Sequence, residues 1–266
     1  MIKTPSTTTI GGAGIWTPSC TVIGGQQNID QLIKSLFADG TQGLYLNAQD
    51  AVSVSDLSSI KDLSGRNNHA LQANATSRAS LITDPSGYKS LKFDGIDDGY
   101  VTQSIDFTGT DKLTVIAAVR KLRDSSTAVL LETSIKATAN AGSFFFAEPN
   151  TPNSSNTNTV VRGATNNISL DFNSVPVSTS YVKTVHSGLA DSIARMRINS
   201  VLVANNTGNS GGGAFGNYPL YIGRRGGGPL PFDGQIYAIL VIGKLLDDAT
   251  TAKIEKEFAK YIGVTL

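Results

Sequence analysis

Cysteine is almost absent: Cys20 is the only one in 266 residues. No intrachain disulfide can form, so the chain is not stapled for an oxidising compartment. Cys20 itself reads as a small apolar filler, the common state of a free cysteine. Charge is sparse too. Charged residues make up 16% of the chain and the formal net charge is +1. Nothing in that balance marks a nucleic-acid binder, which would need a basic face, and it gives no reason for attraction to an acidic membrane. No run of about 18 apolar residues occurs, so membrane insertion through a helix is not expected. The opening MIKTPSTTTIGGAGIW lacks the continuous apolar stretch of a secretory signal, which points to synthesis in a cytoplasm. Glutamate is limited to Glu132, Glu148, Glu255 and Glu257. A glycosidase needs two carboxylates flanking the scissile bond, and a strand motif of the form E-x-D would supply them. None of the four glutamates has an aspartate two residues on, so no catalytic residue is assigned and the chain is not expected to be an enzyme. The two histidines, His69 and His186, have no companion zinc or triad motif. His69 follows Asn67 and Asn68 and reads as a turn residue; His186 falls in a strand pattern.

What the chain does have is Ser, Thr, Asn and 27 glycines, the usage of a turn-rich β protein. Alternation and β-branched runs predict strands at 43–47, 90–93, 112–120, 128–132, 143–147, 159–162, 168–171, 181–187, 192–198, 201–204, 220–222 and 235–242. In ARMRINSVLVAN, Asn199-Ser200 makes a two-residue hairpin turn, with Arg195 and Arg197 facing solvent. About a dozen strands separated by turn signals predict an all-β antiparallel sandwich. Two helices bracket it. Ile29, Leu32, Ile33, Leu36 and Phe37 recur at helical spacing behind an Asn28 cap, with Gln31 in a capping-box position and Gly40 as the stop. At the other end Asp247 or Asp248 caps a helix whose stripe is Ile254, Phe258, Tyr261 and Ile262, ended by Gly263. Residues 1–27 form an extended arm with little periodicity. It carries Ile15, Trp16, Val22 and Ile23, which gain by burial on a neighbour. The organisation expected is an arm at 1–27, a short helix at 28–40 and the sandwich at 41–266. Segments 148–158 and 205–217 hold few large apolar groups and read as mobile surface loops where recognition could be placed.

Three candidate sites stand out. SLKFDGIDDGYV places Asp94, Asp97 and Asp98 within five residues. Calcium takes six to eight oxygens, and such a cluster, with Asp62 or Asn68, could offer them. Phe-Asp-Gly recurs at 232–234, however, which favours turn chemistry, with aspartate bonding nearby N–H groups and glycine at positive φ. No cofactor is expected, calcium being the alternative. GRRGGG sets Arg224 and Arg225 in a glycine loop. It lacks the Gly-Lys-Ser/Thr of a phosphate loop; its guanidinium forks are either solvated or available to acidic sugars and carboxylates. Tyr218 is the stacking platform expected to accompany them.

KDLSGRNNHALQ, then LKFDGIDDGYV, then LYIGRRGG and PFDGQIYAILV, in that order, resemble the concanavalin A-like, laminin-G-like jelly-roll superfamily. The closing LLDDATTAKIEKEFAKYIGV resembles the terminal helix of such domains in bacterial and phage proteins. LFADGTQGLYLNAQDAVSV leading into DLSGRNNHALQ is similar to the start of laminin-G-like domains in tailed-phage and prophage virion structural proteins. The likeness covers residues 43–266. It implies a virion tail or surface component, present as a homo-oligomer, a trimer, that meets other virion proteins through the arm and a host-surface glycan through the lectin-like domain. A cellular carbohydrate-binding module without catalysis is the alternative. Fold alone does not choose between them.

Overall fold

The computed structural model describes residues 28–50, 56–226 and 228–266; within 1–27 it describes only the antiparallel backbone pairing of β1 (Ile15–Trp16) with β2 (Val22–Ile23). The side chains of the proposed assembly residues Ile15, Trp16, Val22 and Ile23, and Cys20, lie outside the described residues.

After α1 (Ile29–Leu36), the strands are β3 (Gly43–Asn47), β4 (Ser59–Ile60), β5 (Ala70–Leu71), β6 (Ser80–Thr83), β7 (Lys89–Asp94), β8 (Tyr100–Asp106), β9 (Lys112–Lys121), β10 (Val129–Thr133), β11 (Ser143–Ala147), β12 (Thr157–Arg162), β13 (Asn167–Phe172), β14 (Ser180–Gly188), β15 (Ile193–Ile198), β16 (Val201–Asn206), β17 (Asn217–Ile222) and β18 (Asp233–Ile242), followed by α2 (Asp248–Tyr261). They form two antiparallel sheets. Sheet I runs β16-β15-β14-β9-β18-β7-β6, with β3 paired to the second half of β18; sheet II runs β13-β12-β11-β10-β17-β8-β5-β4. The all-β sandwich read from the sequence is the architecture found.

Sheet I is apolar on both faces. Leu113, Val115, Ala117 and Val119 of β9 and Ile239 and Val241 of β18 meet Phe144, Phe146, Val161 and Leu220 of sheet II in the core. The intervening Ile116, Ala118, Leu240 and Ile242 point the other way, into a second cluster with Ile33 and Phe37 of the α1 segment and Ile254, Phe258, Tyr261 and Ile262 of the α2 segment. Period-2 strands meeting period-3.6 stripes explain why both patterns are dense in one sequence. Asn28 Oδ1 accepts the Asp30 N–H at 2.9 Å to cap α1; among the described residues Gln31 makes no reciprocal bond. Asp247 Oδ1 accepts the Thr250 N–H at 2.7 Å to cap α2. Gly40 (φ +91°) and Gly263 (φ +68°) take the left-handed conformation past the two helix ends.

Asn199 and Ser200 both have positive φ, 49° and 65°, as the tight turn between β15 and β16 requires. The solvent-facing role read for Arg197 is corrected: α2 packs beside its strand, and Arg197 Nη2 donates to the buried Glu255 Oε2 at 2.9 Å. Strands β4, β5, β6 and β8 were not legible. β8 hides because Pro219 of its partner β17 has no N–H to give. The ladder slips there, Gln103 and Ser104 are both exposed, and the Thr102 hydroxyl takes the Leu220 N–H at 3.0 Å instead.

Segment 148–158 is not a free surface loop, because both its ends enter the sandwich. Lys183 of β14 crosses the core to donate to Glu148 Oε1 (2.9 Å), Thr157 Oγ1 (2.7 Å) and the Asn158 carbonyl (2.9 Å). Tyr181 Oη donates to Glu148 Oε2 at 2.5 Å. Burial pushes the Tyr181 phenol well above its ordinary value, so it stays a donor. Segment 205–217 is tied as well: Phe215 is buried, and Ser210 Oγ donates to the Leu189 carbonyl at 2.9 Å.

Two outcomes follow for stability. Phe258 is fully buried and stacks on Tyr45 with ring centroids 6.3 Å apart; Phe258→Ala is expected to cost about 3–5 kcal/mol in urea unfolding. Lys183→Met strands a buried carboxylate and is expected to cost about 3–5 kcal/mol, part of which Glu148→Gln restores in the double variant. An unchanged midpoint in either single variant contradicts the packing described.

Candidate functional site

Sheet II has one face in the core and one outside. Antiparallel register sets a row of side chains across the outer face: Leu71 (β5) pairs with Val101 (β8), Val101 with Tyr221 (β17), Tyr221 with Glu132 (β10), Glu132 with Phe145 (β11), and Phe145 with Val160 (β12). Phe145 and Val160 belong to a small cluster separate from the core. Leu71 and Val101 are an exposed apolar pair, 42% and 36% accessible.

Glu132 sits mid-row and is fully buried. A buried carboxylate needs a cation and donors, and both are present. Oε1 accepts the Ala137 N–H at 2.8 Å and Oε2 accepts Arg225 Nε at 2.8 Å. The guanidinium carbon of Arg225 lies 5.7 Å from the Phe145 ring centroid. Arg225 is therefore clamped through Nε, and neither of its Nη groups bonds a described residue. Arg224 lies across Gly99: a Cβ there would fall 2.6 Å from Arg224 Cγ and would displace the arginine side chain. Together with Gln72 and Gly228, these groups line a pocket of about 450 Å³ whose floor is Leu71, Val101 and Tyr221.

Arg224 and Arg225 thus share one pocket. Tyr218 does not join them. It lies toward the other end of β17, and its Oη donates to the Ala141 carbonyl at 3.0 Å; Tyr221 supplies the ring at the pocket. No residue of segments 148–158 or 205–217 lines it. Sequence reasoning missed Glu132, which lacks the E-x-D pattern, and Tyr221, whose position depends on cross-strand register. The one available signal was Tyr221's place three residues before Arg224.

The aspartate cluster borders the same pocket through Gly99. Asp94, Asp97 and Asp98 each bring one carboxylate oxygen within 4.8 Å of the others. Asp94 Oδ1 accepts the Ile96 N–H at 2.8 Å, Asp98 Oδ2 accepts the Asp94 N–H at 2.9 Å, and Ser77 Oγ donates to Asp97 Oδ2 at 2.7 Å. Burial raises the Asp98 carboxyl above its ordinary value; the Asp94 N–H opposes this, Asp94 and Asp97 add to it, and Arg224 opposes it. Asp62 and Asn68 are engaged elsewhere: Asp62 Oδ1 accepts the Tyr45 N–H at 2.9 Å and Asn68 Nδ2 donates to the Gly43 carbonyl at 2.7 Å. The two Phe-Asp-Gly motifs meet across the β7–β18 ladder, Asp94 opposite Asp233. Arg123 spans their turns, donating to the carbonyls of Gly95 (2.9 Å) and Pro231 (3.0 Å). These bonds employ the aspartates as strand-end turns, and Arg224 supplies positive charge beside them.

No protein-family model matches the sequence, and no curated protein matches it. Solved structures do match in shape. The binding domain of botulinum neurotoxin DC in complex with SialylT superposes with a TM-score of 0.59 at 10% identity, over 87% of this chain and 52% of that one. The receptor-binding domain of botulinum neurotoxin D gives 0.57 at 11% identity, over 87% and 54%. A structure of botulinum neurotoxin type C, whose cell entry is dependent upon interaction with two ganglioside molecules, gives 0.55 at 10%, over 85% and 53%. The chain spans about half the length of these neighbours. The likeness is one of fold, an antiparallel β-sandwich. Among the described residues no helix is long and apolar enough to cross a membrane.

The turn reading of the aspartates has a direct test. Millimolar calcium is expected to leave the melting temperature unchanged. A rise of several degrees that Asp97→Asn removes would make the cluster a calcium site.

Proposed function

We propose that the chain is a non-catalytic carbohydrate-binding domain and that its saccharide sits in the Tyr221–Arg225 pocket. The observation that carries this reading is the clamp of Arg225 by buried Glu132, beside an aromatic ring and an exposed apolar pair. A pyranose has an apolar face and a rim of hydroxyls. Tyr221, Val101 and Leu71 suit the face; the Nη groups of Arg225 and the guanidinium of Arg224 suit the rim. Glu132 offsets the charge of Arg225, and Asp98 lies near Arg224, so the pocket favours hydroxyls over a bare anion. That differs from acidic sugars gripped by two free arginines. The neurotoxin domains of the same architecture, described with SialylT and gangliosides, support the reading by analogy of fold.

Absence of catalysis is supported by the fate of the glutamates. Glu132 is held by Arg225, Glu148 by Lys183, Glu255 by Arg197 and Glu257 by Lys260 at 2.6 Å. No two of them flank the pocket, as the hydrolysis of a glycosidic bond would need. A virion setting, a trimer and docking through residues 1–27 draw their support from the sequence resemblance.

Glycan-array screening of the wild type, followed by titration of the best hit, tests the pocket. Tyr221→Ala and Arg224→Ala are each expected to weaken binding about tenfold or more, close to 1.4 kcal/mol, while Tyr218→Ala leaves it intact. Arg225→Ala is a poor probe because it strands Glu132. Binding that survives Tyr221→Ala and Arg224→Ala but fails in Tyr218→Ala would contradict this site.

A further inference from the structure

A second concave surface lies on sheet I, at the edge of the cover given by α2. His186 of β14 and Arg195 of β15 are cross-strand partners, and Arg197 stands two residues further along β15 on the same outward face. With Ser200, Leu202 and the α2 residues Asp248 and Ala252 they line a groove of about 480 Å³.

The three basic side chains differ in how far their surroundings satisfy them. Arg197 is committed: Nη2 donates to Glu255 Oε2 at 2.9 Å, Nη1 is 3.7 Å from Asp248 Oδ1, and Ser200 Oγ shares Glu255 Oε2 at 2.7 Å. Arg195 is exposed, and among the described residues no carboxylate forms an ion pair with it. His186 Nε2 lies 3.2 Å from Thr251 Oγ1. Its β9 partner Thr114 is uncharged and donates to the Lys244 carbonyl at 2.8 Å. Burial holds the His186 pKa down to about 4; Arg197 and Arg195 push the same way and Asp248 opposes them. Like charges directly opposite on a ladder repel, so the imidazole stays neutral while a guanidinium faces it. The apolar wall beside them, Leu202, is 57% accessible.

We propose that this groove binds an oxyanion, the sulfate or carboxylate group of an acidic saccharide, held between Arg195 and His186 with its ring against Leu202. A planar guanidinium matches both groups in geometry. A bound negative charge also reverses the repulsion that keeps His186 neutral, so binding and proton uptake reinforce each other. Each unit by which the anion raises the His186 pKa is about a tenfold gain in affinity, which sets in as the pH falls through the raised value and is complete below the free value of about 4. The site is on the opposite sheet from the Tyr221 pocket, and neither depends on the other.

NMR titration of the full chain with sodium sulfate and with glucuronate, against chloride at matched ionic strength, tests it. Sulfate keeps one charge state from neutral to mildly acid pH. At least one of the two anions is expected to move the His186 ring signals, raise its titration midpoint and bind more tightly in acid; the better of the two identifies the source of the oxyanion. Arg195→Gln should abolish the effect, and His186→Gln should remove its pH dependence. Shifts no larger than those in chloride, or wild-type binding in Arg195→Gln, would overturn the site. A pH dependence that persists in His186→Gln would overturn the role of the histidine.

Discussion

β9, β14 and β18 carry apolar side chains on both faces: Val115 and Ala117 inward, Ile116 and Ala118 outward, with Ile239 and Leu240 repeating the pattern one strand away. A sheet of this kind must be covered twice, since each large aliphatic side chain left in water forfeits roughly 1.5–3 kcal/mol. Sheet II covers the inner face. The outer face falls to α1 and α2, which explains why a chain dominated by strands keeps two capped, amphipathic helices. The arrangement also decides where ligands can go. The middle of sheet I is closed by helices, while the outer face of sheet II and the strip of β14–β16 that α2 does not cover stay open. The two pockets described above occupy those places.

The interior holds the sheets in register as well as together. Lys183 reaches from sheet I to Glu148 and β12 of sheet II, and both charges are fully buried. Such a pair contributes little net stability, because desolvation consumes most of the Coulomb gain. Its effect is selective: any sliding of one sheet on the other leaves a charge without a partner. Glu132, also fully buried, makes a like demand within sheet II, and the charge it requires is the guanidinium that lines the pocket.

The helices and the long strands were legible because their signals are local. Asn28 and Asp247 announce caps, and β9, β11 and β18 announce themselves by dense apolar runs. β8 was not legible because its irregularity answers Pro219, more than a hundred residues away. The same divide runs through the site. Arg224 and Arg225 stand out in a glycine loop, but their aromatic neighbour was read as Tyr218 when it is Tyr221. Glu132 was considered only as a catalytic acid and set aside. The choice between two tyrosines on one strand is made by pairing with β8 and β10, and no single stretch of sequence contains that pairing. Arg195 is exposed as its strand pattern implies, whereas Arg197 only reads as solvated, because α2, which meets it through Glu255, lies 58 residues further along the chain.

The central claim is that recognition takes place on the outer face of sheet II, on a floor organised by Glu132. Chemical-shift mapping with a saccharide that the chain binds addresses it directly. The account predicts perturbations centred on the Tyr221 ring, the Arg225 guanidinium and the Val101 and Leu71 methyl groups, with Gly99 moving beside them. Perturbations confined to segments 148–158 and 205–217, with Tyr221 and Arg225 unmoved, would contradict it.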